Sequence, residues 1–408
     1  MDHVTSNAMR EIMSEVEGWV KTWLESSTEV DSPEAFRIFE HKFRQDSFHL
    51  IGSIFQAVIQ NAIDHQPVDR TCPHCGVRRR HKGRRRRGLL SSVGAIVLEG
   101  VYWYCPDCGG QHTVELLAPE SSSRLLQELL CLLGTTLTSF AKASTVSKKV
   151  LGVTVSDATI RRLCQQHGRD VSLAPDPVEP ETDVVGSCDG TMVHTRQEGW
   201  KEVKAYQFRY GDHKHGRAYL ESSSEFVPRL RQGAVALEAG KAKRLFWVSD
   251  AAEWIDKGVE KQLPMAIRII DIWHAWEHIH EASRKIYPQD EDRAAHWAQR
   301  YCHVLEEAGG RALWRRLGRV HHTDSDRQQG VTELRRYLDK NADRLNYPHY
   351  KEHGYPISSG MMESACKQLG LRIKGPGMRW NTENVTPMGN LVSLWINNEW
   401  DTYWRISA

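Results

Sequence analysis

Val184-Val185-Gly186-Ser187-Cys188-Asp189-Gly190 is a short apolar run that ends on a carboxylate. Leu245-Phe246-Trp247-Val248-Ser249-Asp250 repeats that grammar further along the chain. Short apolar runs bounded by turn residues read as buried strands, so each delivers one acid at a strand end. A third acid, Glu363, falls in the first turns of a helix predicted after Tyr355-Pro356-Ile357-Ser358-Ser359-Gly360. Adjacent strands lie about 4.8 Å apart, which suits carboxylates that share two metal ions about 3.5–4 Å apart. Three such acids make an oxygen donor set for a pair of Mg²⁺ or Mn²⁺ ions, the chemistry of phosphodiester cleavage and transfer.

Around these acids the pattern predicts strands near 184–188, 202–210, 217–223, 244–249 and 266–270, with a helix around 225–238. Residues 275–345 then turn helical, so the layout is mixed α/β with a helical insertion before the third acid. Each acid also has a plain structural reading. Asp189-Gly190 is a turn dipeptide, Asp250 can cap a helix starting at Ala251, and Glu363 with Lys367 is an i,i+4 ion pair. Their joint occurrence favours a site. Asp271 and His274 lie between the second and third acids and form D-x-x-H-x-x-x-H with His278. That pattern either holds a metal of its own or lets Asp271 and His274 orient the acids by hydrogen bonding, with His278 packing against the insertion.

The other half of the chain has a different character. Residues 1–66 read as helical, with Met9, Ile12, Met13, Val16, Val20 and Leu24 at steps of three and four. In 67–118, Cys72-Pro73-His74-Cys75 and Cys105-Pro106-Asp107-Cys108 are two C-x-x-C knuckles. Four thiolates in two knuckles make a closed, structural Zn²⁺ site. Between them Ile96-Val97-Leu98 and Val101-Tyr102-Trp103-Tyr104 read as strands. Residues 78–87, including Arg84, Arg85, Arg86 and Arg87, hold eight Lys or Arg and no acid. They read as a phosphate-binding patch anchored by the knuckles, or as a solvated charged loop. Within 119–173, Thr145 to Leu163 has the grammar of a helix-turn-helix. Gly152 stops one helix, Ser156 caps the next, and Ile160 and Leu163 face inward. Thr159, Arg161 and Arg162 would then face DNA, although a plain helical hairpin fits the same pattern. The Pro-rich acidic stretch 174–183 reads as a linker. It precedes a first core part (184–274), the insertion (275–352) and a C-terminal segment (353–408).

Composition narrows the function classes. The 408 residues are 40% hydrophobic with a net charge of +2, enough for two or three globular domains. Removing the eight charges of the basic run leaves −6, so the positive field is local. No apolar stretch approaches the ~20 residues of a membrane helix, and Met1-Asp2-His3-Val4 does not open a secretory signal. Nine cysteines, an odd count, argue against a disulfide framework. A cytoplasmic, nucleoid-associated protein is expected.

From Asp189 to its end the chain resembles the DDE transposases of bacterial insertion sequences, most of all the Kra type within the Mutator-like group. The matching stretches are residues 188–191, 248–255, 269–278, 355–364 and 372–380, in the family's order and spacing. The resemblance implies an RNase H-like core with Asp189 on the first strand, Asp250 on the fourth and Glu363 on a later helix. Asp271 and His274 match the group's Cys-or-Asp-x-x-His motif at the fifth strand. Asp250-Ala251-Ala252 departs from the expected Asp-Gly-Ala, but Ala keeps the position small. Also implied are two Mg²⁺ (or Mn²⁺) per active site, binding of terminal inverted repeats and target DNA, strand cleavage and transfer, and a homodimer or higher oligomer on DNA. Lys367, Arg372, Lys374 and Arg379 would grip phosphates, and Trp380 would stack on an unpaired base. The alternative is a catalytically retired, transposase-derived DNA-binding regulator; retention of all three acids favours the enzyme.

Overall fold

The computed structural model describes residues 3–67, 69–112 and 121–405, with the side chains of 3–8, 111 and 112 excepted. The chain divides into a unit of residues 1–163 and a unit of residues 164–408.

The first unit opens with two long helices, α1 (His3–Ser26) and α2 (Pro33–Asp64). Ser32 caps α2 by accepting from Ala35 N at 3.2 Å, and Pro33 occupies the first helical position, where no N–H is needed. Trp19 and Trp23 of α1 pack on Phe39 and Phe43 of α2, with ring centroids 4.7–5.2 Å apart. A three-stranded sheet follows: β1 (Arg80–Ser91), β2 (Gly94–Tyr104) and β3 (Gln111–His112), antiparallel in that order. This corrects the sequence reading in two places. The basic run is itself a strand, and the two short strands expected at 96–98 and 101–104 are one. Backbone pairing is indifferent to side-chain charge as long as the charges reach solvent or a partner. Arg84 and Arg86 share Glu99, and the Arg85 guanidinium lies 3.6 Å from the centroid of the Tyr102 ring. Two glutamines of α2 satisfy the open edge of β2: Gln56 Oε1 accepts from Val97 N and Gln60 Oε1 from Glu99 N, at 2.7 and 2.8 Å.

Three helices complete this region: α3 (Arg124–Thr136), α4 (Phe140–Val146) with a π-helical turn over Ser147–Leu151, and α5 (Asp157–Arg169). Gly152, at φ 68°, ends the π turn in the left-handed region. Ser156 Oγ accepts from Thr159 N at 3.2 Å, and Ile160 and Leu163 are buried, as the helix-turn-helix grammar requires. Residues 113–120, where the ribbon was expected to give way to these helices, lie outside the described residues.

The second unit is built on a mixed five-stranded sheet in the order β6-β5-β4-β7-β8. Its strands are β4 (Asp183–Thr195), β5 (Gly199–Tyr210), β6 (His213–Tyr219), β7 (Arg244–Ser249) and β8 (Ile267–Ile270). The first three are antiparallel, and β7 and β8 add parallel to β4. The third strand lies earlier than predicted, because Gly211 at φ 52° makes a tight turn. On one face α6 (Ser223–Ala236) and α7 (Glu253–Gln262) bury Phe226, Leu230, Ile255 and Val259 against Cys188, Phe208 and Trp247. A Cβ at Gly186 would come within 2.6 Å of the Trp247 ring, so that strand position must be glycine. Beside β7 and β8 lies a helical block, α8 (Ile272–Ile286), α9 (Glu291–Leu317), α10 (Ser325–Lys340) and α11 (Tyr347–Glu352), with its own core. The chain returns through α12 (Gly360–Ile373), α13 (Val385–Ile396) and α14 (Trp400–Trp404). The stretch 174–183, expected as a linker, runs along this unit: Val178 is buried and its N–H bonds to Leu237 O at 2.9 Å.

Candidate active site and cysteine centre

The cysteine centre is assembled almost wholly by local backbone geometry. In each knuckle a glycine at positive φ, Gly76 or Gly109, turns the chain so that its N–H bonds back to the carbonyl of Cys72 or Cys105, at 2.9 and 3.1 Å. The four sulfurs converge, Cys72 to Cys108 at 3.6 Å and Cys75 to Cys105 at 3.4 Å. Tetrahedral Zn–S bonds of ~2.3 Å put sulfurs about 3.8 Å apart, so this donor set fits a zinc ion. The four thiols shift in opposite directions. Against desolvation, backbone N–H groups draw Cys72 down to about 7, and backbone N–H groups likewise bring Cys105 to about 7. Against their own backbone N–H bonds, neighbouring sulfurs push Cys75 up to about 12 and raise Cys108.

The acids are placed by elements far apart in sequence. Asp189 sits within β4 opposite Ala205, and its Oδ1 accepts from Gly190 N at 2.7 Å. Asp250 follows β7, and its Oδ1 accepts from Ala252 N at 3.0 Å; α7 begins at Glu253 without a side-chain cap, so the capping role expected for Asp250 is not seen. Burial first, and then the like charge of Asp250, raise the Asp189 carboxyl above its ordinary range. Glu363 lies on the exposed side of α12, its Oε1 2.7 Å from Lys367 Nζ. Lys367 first, then His274, draw its carboxyl below the usual range. His274 also favours the ionised form of Asp189, so its imidazole is within electrostatic reach of both acids. Its Nδ1 is 3.1 Å from Glu277 Oε2. The ring of His278 packs with its centroid 3.9 Å from that of Tyr337, tilted by 35°.

Asp271 is buried and works as a joint. Its Oδ1 accepts from Trp273 N at 2.7 Å, capping α8. Its Oδ2 accepts from Ser359 N and Ser359 Oγ at 2.5 and 2.6 Å. Ile272 N bonds to Ile357 O at 3.0 Å. The segment that launches α12, and with it Glu363, is therefore tied to the end of β8.

Among the described residues, two groups of at least three possible metal ligands have all their ligand atoms within 4.8 Å. They are the four cysteines and the exposed set His349, Glu352 and His353. Asp189, Asp250 and Glu363 are not such a group. Three anions repel, and Lys367 already holds Glu363. Their hard oxygen donors nevertheless suit Mg²⁺ or Mn²⁺, and Tyr337 Oη is buried without a hydrogen-bond partner within electrostatic reach of Asp250 and Asp271. Sequence reading missed Tyr337, and also Cys366, whose thiol hydrogen-bonds Asp189 from α12. Neither residue belongs to a recognisable motif.

The expected DNA contacts divide. Arg84, Arg85, Arg86, Arg161, Arg162, Lys367, Lys374 and Arg379 are exposed, and Arg87 and Thr159 are half-buried. Arg372 and Trp380 are buried, which corrects their expected role. Trp380 N bonds to His194 O and its indole Nε1 to Ile373 O, both at 3.0 Å. The Arg372 guanidinium lies 5.1 Å from the Trp380 ring centroid, and desolvation lowers its pKa to about 10. Together they lock the end of α12 to β4. The first unit also holds a groove of about 1250 Å³ between α2, the turn 93–95 and α4, lined by Arg37, His41, Arg44, Lys148 and Lys149. These basic residues are too scattered in sequence to be read as a patch.

No protein-family profile matches the chain, and no curated protein does. Among solved structures it is similar to the Drosophila P element transposase strand transfer complex, at 9% identity and a TM-score of 0.27, over 73% of this chain and 83% of that one. It is also similar to NurA, at 12% identity and a TM-score of 0.14, over 66% and 65% of the two chains. No helix among the described residues is long and apolar enough to cross a membrane.

Proposed function

We propose that the chain is a DNA transposase with an RNase H-like catalytic core, which cleaves the ends of its element and joins them to target DNA. One observation carries this reading: a mixed sheet with two parallel strands side by side delivers Asp189 and Asp250 close enough for one to raise the pKa of the other. Like charges held near each other at half-buried positions are costly unless a cation is to be bound there. Two Mg²⁺ or Mn²⁺ ions bound by Asp189, Asp250 and Glu363 would supply a nucleophilic oxygen at neutral pH and charge stabilisation at the phosphate. Asp271 sets the start of α12, and so the position of Glu363. His274 offers a donor between Asp189 and Glu363 that can orient a phosphate oxygen. DNA would be held by β1 and α5, through Arg84 to Arg87, Thr159, Arg161 and Arg162, and by the exposed Lys374 and Arg379 that follow α12. One Zn²⁺ on the four cysteines would stabilise the sheet that carries the basic strand.

The exposed pairing of Glu363 with Lys367 favours a second reading, a retired enzyme that only binds DNA. Cleavage of end-containing duplex in Mg²⁺ separates the two. Asp189→Ala, Asp250→Ala and Glu363→Ala should each abolish cleavage and transfer while leaving end binding within about twofold of wild type, because each removes a metal ligand and no phosphate contact. Wild-type protein that binds ends but never cuts would leave the regulator standing.

A further inference from the structure

The α1–α2 pair is poorly covered for its size. Of the described side chains in these helices only Gly52 and Ile63 are buried. Met9, Met13, Val20 and Leu24 are between 41% and 65% exposed. At 3.6 residues per turn these four fall within about 60° of one another, beside the stripe of Ile12, Trp19 and Trp23 that faces α2. On α2, Phe36, Phe43, Ile51 and Val58 are 37% to 57% exposed and fall within about 80°. Given the Trp19–Phe43 and Trp23–Phe39 contacts, both stripes lie on the same side of the hairpin. The eight side chains offer on the order of 800 Å², the area each partner gives to a stable interface. A surface this apolar in a soluble unit marks a protein contact.

The spacing names the occupant. Met9, Met13, Val20 and Leu24 stand at intervals of 4, 7 and 4, which read the same in either direction. An isologous two-fold contact requires that residue i meet j and j meet i. An antiparallel pair of α1 helices meets that condition, with Met9 on Leu24 of the second copy and Met13 on Val20. We propose that the chain forms a two-fold dimer, without DNA, through antiparallel packing of the exposed faces of α1 and α2. This does not rest on the catalytic reading and would hold for a retired DNA-binding protein as well.

Sedimentation velocity of the full chain without DNA, near 10 μM, tests it. Wild type should sediment as a dimer. Met13→Glu with Val20→Glu should raise the dissociation constant at least ~100-fold, while Ile38→Glu, on the opposite side of α2, should leave it unchanged. Zinc content and helicity check that the variants remain folded. The arrangement is read by oxidative cross-linking, in which the Met13→Cys, Val20→Cys double variant should give a covalent dimer and either single variant should not. A monomeric wild type, with this face covered by the rest of its own chain, would overturn the proposal. So would a dimer indifferent to the two glutamates, or efficient cross-linking through Cys at position 13 alone, which signals a parallel pair.

Discussion

The cysteine centre and the candidate acid site differ in their donors, soft thiols in one and hard carboxylates in the other, and they are built in opposite ways. Four thiols come from two tight turns joined by one hairpin, and their sulfurs already lie 3.4–3.6 Å apart across the pairs. The acids come from β4, the end of β7 and the exposed side of α12, and Glu363 is engaged with Lys367 instead of its fellow acids. Thiols can approach because they are neutral until metal or a neighbour draws off the proton. Carboxylates are charged at neutral pH and repel. Local turns therefore suffice for the structural centre, whereas the reactive one needs a rigid sheet, a buried joint and a cation to close it.

The largest expected effect is at the cysteines. Cys72→Ser or Cys105→Ser should lose the single zinc and the folded ribbon together, since apparent binding of structural zinc is worth about 10–16 kcal/mol. Metal analysis with hydrogen exchange across β1 and β2 measures this. A protected hairpin in a zinc-free protein would erase the contrast between the centres.

The joint comes next. Asp271→Ala leaves Trp273 N, Ser359 N and Ser359 Oγ without their acceptor and should cost about 2–4 kcal/mol of stability. Cleavage should fall roughly 10–100-fold. His274→Ala should slow cleavage over the same ~10–100-fold range but leave the melting temperature alone, because its side chain is partly exposed and its carboxylate contact is with a neighbour on the same helix. Equal loss of stability in both variants would mean that His274 is part of the frame and not of the site.

Smallest, and opposite in sign, is the effect of relieving repulsion. The Asp189 carboxyl is raised by burial and by Asp250. A raised group favours the fold below its ordinary range, and that contribution is lost as pH rises through the raised value. In chelator at pH 7, Asp189→Asn should therefore raise the melting temperature while abolishing cleavage. The gain should vanish below the ordinary carboxylate range, near pH 3, and shrink when Mg²⁺ is added to both proteins. No gain at pH 7 would mean that the two acids are not in conflict.

Much of this was legible in the chain. The short apolar runs placed β4 and β7, because a strand covered on both faces is apolar along its length rather than at every second residue. The two C-x-x-C knuckles announced their own convergence, since a glycine after each second cysteine is enough to turn the chain. Gly152 and Ser156 marked the helix ends for the same local reason. The basic run was readable as charge but not as strand, because its partner, residues 98–104, lies across a hairpin and backbone pairing does not depend on side-chain charge.

What only the tertiary structure decided was which charged and aromatic groups are left to water. Arg372 and Trp380 look like DNA contacts in one dimension; the pairing of Trp380 with the end of β4 buries them both. Asp271 reads in one dimension as a metal ligand or an orienting acid, and only the fold brings Ser359, 88 residues later, to donate twice to it. Tyr337 and Cys366 carry no motif at all and reach the acids only because α10 and α12 pack where they do. Periodicity and turn chemistry act between neighbours in sequence and can be read there. The desolvation of a charge is set by everything that closes around it, and most of that comes from elsewhere in the chain.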